Sequence, residues 1–151
     1  MRPAEELRYL ILAAQREGNR HLAQALRPLG ITPSQAEVLR LLQDRQPLTL
    51  SGLGELLVCE SGNSPSRLVD RLAATGLVHR RIPEHDRRQV ELSLTEEGAR
   101  VSRQVAEIEE GLYRAIDSAV EEHGLSEITG FLWAFVADLP AGQALARRLE
   151  E

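Results

Sequence analysis

The spacing of apolar residues changes twice along this chain, near Gly76 and near Thr95, and that double change narrows the fold more than any other feature. Before Gly76 apolar residues recur at three- and four-residue steps. Between the two points Val90, Leu92 and Leu94 alternate strictly, and after Thr95 the helical step returns. Helices flanking a short alternating stretch predict a mainly α chain carrying a small β-hairpin, an α+β arrangement. At 151 residues, 42% of them hydrophobic, the chain is expected to form one domain with a core of its own.

The individual elements follow from the same spacing. Leu7, Leu10, Ile11, Ala14, Gly18, Leu22, Ala25 and Leu26 share one face of a long helix over 5–27, which Pro28-Leu29-Gly30 stops. Thr32-Pro33-Ser34-Gln35 opens a second helix, with Thr32 as N-cap, Pro33 at N1 and Gln35 closing a capping box. Leu48-Thr49-Leu50 reads as a short strand entering a third helix over 51–58, which Gly52 and Gly54 weaken by roughly 1 kcal/mol each. A fourth helix is expected to start with Ser64 as N-cap and Pro65 at N1, and to end before Gly76. Residues 77–82 and 89–94 form two strands, joined by Pro83-Glu84-His85-Asp86-Arg87-Arg88. Thr95 caps a long helix to 123 with Glu96 and Glu97 in its first turn, and Ser126 caps a last helix through 138 that Pro140 interrupts.

Helix, tight turn, helix and two-stranded wing make a winged helix-turn-helix, expected over 32–97. The charge distribution fits that outline. The net charge is -5, yet residues 61–90 hold six Arg (67, 71, 80, 81, 87, 88) against three acids (70, 84, 86). Local potential is what a phosphate feels, so a basic segment in an acidic molecule can still meet nucleic acid. On the fourth helix Pro65, Leu68, Val69 and Leu72 share an inward face, which leaves Ser66, Arg67, Asp70 and Arg71 facing out. A hydroxyl and a forked guanidinium there suit base edges and phosphates in a major groove. Ser64 lies at the same helix start, where free N–H groups bind phosphate. Arg87 and Arg88 at a hairpin tip suit a narrow minor groove, with Asp86 as an intramolecular partner that holds an Arg in one orientation. An ordinary amphipathic helix with a solvated face and a plain surface turn would share these patterns.

Thr32-Pro33-Ser34-Gln35, Leu72-Ala73-Ala74-Thr75-Gly76-Leu77-Val78 with Arg80, and above all Asp86-Arg87-Arg88 followed by Leu94-Thr95-Glu96-Glu97-Gly98 resemble the MarR family of bacterial transcription regulators. The resemblance covers about residues 7–140. It implies a homodimer on pseudo-palindromic double-stranded DNA, one recognition helix per major groove, with Arg88 contacting the minor groove from the wing. It also implies that residues 1–31 and 98–151 form a helical dimerisation region. Pattern alone leaves two readings of the stripe Val101, Val105, Ile108, Leu112, Ala115 and Ala119: intramolecular core or subunit interface. Family members often release DNA when a small aromatic ligand enters the cleft beside the winged lobe, so a repressor with a small-molecule effector is expected; Tyr9, Tyr113, Phe131, Trp133 and Phe135 read more simply as core, and no pocket is assigned.

Several classes are set aside. The single cysteine, Cys59, excludes an internal disulfide framework and a cysteine-built zinc site. Next to the recognition-helix turn it is a candidate redox sensor, although Glu60 beside it disfavours a thiolate and a buried structural role is the plainer expectation. His79, His85 and Asp86 make no recognisable metal-ligand set, and no cofactor is expected. There is no phosphate-binding Gly loop, nucleophile elbow or zinc-protease motif, so an enzyme is not expected. A winged-helix protein-interaction module without DNA binding remains the alternative, against which the outward arginines argue. No apolar run spans a membrane and Met1-Arg2-Pro3-Ala4-Glu5-Glu6 does not open a signal peptide, which gives a cytoplasmic expectation.

Overall fold

The Thr32 hydroxyl accepts the Gln35 N–H at 3.3 Å while the Gln35 side chain accepts the Thr32 N–H at 2.9 Å, so the capping box forms as expected. It starts α2 (Pro33–Arg45), whose Ala36, Val38, Leu39, Leu41 and Leu42 are all buried, and the remaining elements assemble around that helix. The structure is a computed structural model that describes residues 1–59 and 65–150. α1 (Pro3–Leu26) precedes α2 through a 3-10 turn at Arg27–Leu29, closed by Gly30 at φ 70°. After α2 come β1 (Leu48–Thr49), α3 (Leu50–Gly54), α4 (Ser66–Ala74), β2 (Val78–Arg81) and β3 (Glu91–Leu94). α5 (Glu96–Val120), α6 (Leu125–Val136) and α7 (Pro140–Leu149) complete the order.

The strands form an antiparallel sheet in the order β1-β3-β2, with Leu92 opposite Leu48 on one side and Arg80 on the other. Leu92 is fully buried and joins Leu26, Leu39, Leu42, Leu53, Leu72 and Val105 in the core. The mainly α fold with a β wing is therefore as the sequence predicts. The third helix is shorter than predicted, because after Gly54 the chain tightens to a Leu56 N–H bond onto the Leu53 carbonyl and then leaves the helix. The expected Ser64 cap lies outside the described residues. Pro65 precedes the first helical residue, at φ −74° and ψ −13°, rather than occupying N1.

Two differences concern the C-terminal part. Gly124, at φ 71°, precedes α6, so Ser126 sits inside the first turn and does not cap it. Pro140 starts a further helix instead of ending the last one. Its missing N–H costs nothing at N1, where no intrahelical bond would form. α7 then crosses α6 so closely that a Cβ on Gly142 would stand 1.9 Å from the Val136 carbonyl oxygen.

The long apolar stripes divide along their length. On α5 Val101 and Val105 are buried and Ile108 and Leu112 half-buried, but Ala115 and Ala119 are exposed. On α1 the gradient runs the other way, from exposed Leu7, Leu10 and Ile11 to buried Leu26. α6 leaves Phe131 and Phe135 exposed. Val101 and Val105 of α5 and Leu26 of α1 thus join the core of the winged lobe, whereas the apolar residues toward the other end of each helix are exposed.

Candidate nucleic-acid interface

The amphipathic reading of the fourth helix holds residue by residue. On α4, Val69 and Leu72 are buried and Leu68 half-buried, while Ser66, Arg67, Asp70 and Arg71 are exposed. The helix ends in a Schellman motif: the Leu77 N–H bonds the Leu72 carbonyl at 2.9 Å and the Gly76 N–H bonds that of Ala73 at 3.1 Å. Gly76 takes φ 77°, a conformation that disfavours any side chain there. Leu77 and Leu72, both buried, supply the apolar contact that accompanies this motif.

The wing is rooted on that helix stop. The Thr95 N–H donates to the Leu77 carbonyl at 3.1 Å, and the Thr95 hydroxyl donates to the Gly76 carbonyl at 2.6 Å. The same oxygen accepts the Gly98 N–H at 2.9 Å, which caps α5. Gly98 lies against Leu77, where a Cβ would fall 1.9 Å from the carbonyl oxygen. The run Leu94-Thr95-Glu96-Glu97-Gly98 therefore has a physical reason: it fastens α4, the wing and α5 at one point. A second tie, missed at the sequence level, is the ion pair of Asp70 on α4 with Arg80 on β2. Asp70 reads from sequence only as an outward acid, and only the fold reveals its partner.

The loop between β2 and β3 exposes Arg87 and Arg88, with Arg81 exposed at its root and Pro83 buried beneath. Asp86 holds the loop differently from expectation. Its Oδ1 accepts the Arg88 backbone N–H at 3.0 Å, an Asx turn, and no ion pair of Asp86 with an arginine forms among the described residues. Asp86 thus shapes the backbone at Arg88 and leaves its guanidinium unneutralised by that carboxylate.

Behind the interface a cleft of about 640 Å³ opens between α1, α2 and α5, bordered by Leu22, Arg40, Glu109 and Tyr113 and, at its other end, Cys59 and Arg148. Arg40 bonds Glu109 at 3.0 Å. Burial pushes the Glu109 carboxyl above its ordinary range against the pull of Arg40. Such a group favours folding below the usual carboxylate range and loses that contribution as pH rises through its raised folded value. Burial also raises the Tyr113 hydroxyl, with Glu109 adding to it. Cys59 is exposed, not buried as a structural cysteine would be. Among the described residues no group of His, Cys, Asp and Glu is arranged to hold a metal ion.

Comparison with known proteins agrees with this architecture. The model of the MarR family matches residues 31–90, which span α2 to the foot of β3. An organic hydroperoxide resistance transcriptional regulator from Bacillus subtilis strain 168 is 33% identical over 108 residues, 72% of this chain and 73% of that protein. The S. aureus MepR–DNA complex shares the fold with a TM-score of 0.80 at 22% identity, over 87% of this chain and 96% of that one. Reduced AbfR bound to DNA aligns with a TM-score of 0.71 at 26% identity, over 90% of this chain and 94% of that one. With a third of its aligned residues shared with one such regulator and its fold with others, the chain belongs to the MarR family of winged-helix transcription regulators.

Proposed function

We propose that the protein is a homodimeric transcription regulator that binds a pseudo-palindromic operator in double-stranded DNA, represses, and lets go when a small molecule fills the cleft behind α2. The observation that carries the reading is the exposed set Ser66, Arg67 and Arg71 on α4 together with Arg87 and Arg88 on the wing, two elements fastened to each other at Gly76 and Thr95. Ser64, at the start of the same helix, belongs to this set on sequence grounds. Arg67 and Arg71 face the major groove, Arg88 the minor groove, and Asp86 orients the wing. No enzymatic activity, cofactor or metal enters this reading. No helix among the described residues is long and apolar enough to cross a membrane, and a cytoplasmic location suits a DNA partner.

The two kinds of arginine contact separate experimentally. In a salt-series titration, Arg88→Ala is expected to weaken every duplex alike and to lower the salt slope by about 1. Arg67→Ala is expected to cost about 1–3 kcal/mol on the operator and to relax base preference there. Equal losses on operator and scrambled duplex for Arg67→Ala would remove its base-reading role. If neither substitution changes duplex binding, the winged lobe is a protein-interaction module.

The exposure of Cys59 at the rim of the cleft favours a second trigger. A hydroperoxide would oxidise its thiol to the sulfenic acid and itself be reduced to the alcohol and not to a radical. Cys59→Ser protein is then expected to bind DNA normally and to ignore peroxide; release that persists in the variant rejects the thiol.

A further inference from the structure

The backbone between α3 and α4 is held by side chains from two distant elements. Glu37 is buried within α2, between the core residues Ala36 and Val38. Its Oε1 accepts the Val58 N–H at 2.7 Å and its Oε2 accepts the Cys59 N–H at 2.9 Å. Arg148, on α7, forms an ion pair with the same carboxylate and donates from Nε to the Leu56 carbonyl at 2.9 Å. Its neighbour Arg147 donates to the Glu55 carbonyl at 3.2 Å, and Arg45 of α2 donates to the carbonyl of Arg148 itself at 2.7 Å. The Glu55 and Leu56 carbonyls and the Val58 and Cys59 N–H groups, where the chain leaves the regular helix, find their partners on α2 or α7.

Stability alone does not account for such a cluster. A buried carboxylate is tolerated only when paired and fully bonded, and well-packed apolar residues often serve as well or better in its place. What the ion pair adds is direction: two backbone N–H groups and one carbonyl are held at once by a single Glu–Arg unit. The held segment ends at Cys59, seven residues before Ser66 opens α4 in the sequence.

We infer that Glu37 and Arg148 are positioning residues for DNA reading, which tie the C-terminal helix to the segment entering the recognition helix. The inference rests on the proposed role of α4 in the major groove. Neither side chain has to touch DNA. A shift of α7, whether from the subunit contact or from a ligand in the adjoining cleft, draws on the Glu37–Arg148 pair and through it on Val58 and Cys59. The operator affinity and the state of the C-terminal region are then linked quantities.

The test uses the full chain, a duplex that the wild-type protein selects from a random-sequence pool, and a scrambled duplex of equal composition. Arg148→Gln is expected to lower affinity for the selected duplex about tenfold, an ordinary coupling magnitude, with the scrambled duplex and the salt slope unchanged. Amide hydrogen exchange at Val58 and Cys59 is expected to speed up in the same variant, because Glu37 loses the cation that holds it in place. Faster exchange with selected-duplex affinity at the wild-type value overturns the inference. So does parallel weakening of both duplexes with a salt slope lower by about 1, which marks a direct phosphate contact. Where Arg148→Gln does not fold, Arg148→Lys keeps the charge but not the fork that reaches Glu37 and Leu56 together. It is expected to give the same pattern at smaller size, and wild-type affinity in it counts against the inference equally. Wild-type protein that selects no duplex removes the DNA reading and this role with it, whereas normal wild-type selection with an unaffected variant removes the positioning role alone.

Discussion

Gly98→Ala is expected to destabilise the fold by about 3 kcal/mol, at the upper end of ordinary overpacking, and to lower Tm by roughly 10 °C. The added Cβ would stand 1.9 Å from the Leu77 carbonyl oxygen and 2.9 Å from its carbon, and both are backbone atoms that cannot rotate away. The same carbonyl accepts the Thr95 N–H, so the methyl group can be accommodated only by parting α5 from the root of the wing. Gly111 provides the contrast on the same helix. Nothing lies within 4 Å of a Cβ built there, and Gly111→Ala is expected to gain about 0.5–1 kcal/mol from helix propensity. Thermal melts of the two variants followed by far-UV circular dichroism decide the matter. A Gly98→Ala melt that coincides with wild type would mean that α5 is not seated on Leu77 as described.

Leu10→Glu combined with Phe131→Glu is expected to convert the proposed dimer to monomers and to reduce operator affinity by about 10²–10³-fold. Both residues are apolar and exposed, at 58% and 46%, so neither charge disturbs the core of the winged lobe. In a subunit contact the same charges would be buried without partners, which outweighs most of what the apolar contact supplies. Affinity falls with the dimer because two lobes on one operator profit from effective concentration, and a single lobe does not. Sedimentation at titration concentrations gives the mass, and duplex binding gives the second quantity. A double variant that stays dimeric and binds at full strength would place the subunit contact on another face.

How much of this was legible in the sequence depends on how far apart the interacting residues lie. The Thr32–Gln35 box, the Gly76 stop and the Thr95 cap are contacts within five residues, where residue type and offset nearly decide the bond. The inward and outward faces of α4 follow from helical period in the same way. The helix that follows Pro140 is not evident in the sequence because a proline ends one helix and begins the next with equal ease, and only the space beside α6 chooses. For Asp86 the sequence predicts a guanidinium partner where the structure has a backbone one: offset alone does not tell whether a carboxylate meets a guanidinium or the N–H two residues on. The Asp70–Arg80 and Glu37–Arg148 pairs were out of reach, since the latter joins residues 111 positions apart. The one signal available for Glu37 was its place, an acid set inside the run of core residues on α2.

The single hydroxyl of Thr95, donating to Gly76 and accepting from Gly98, gives the lobe the character of a caliper with a locked jaw. Under the proposed function its two points are the exposed face of α4 and the tip of the wing, whose roots this joint ties together. What a rigid caliper reports is phase as well as base identity: how far along the helix, and at what rotation, one groove follows the other. A base pair added between the two contacts moves one of them by about 3.4 Å along the axis and turns it around the duplex, and a locked instrument has no slack with which to follow. Discrimination by this route needs no further side chain, only the stiffness of the joint.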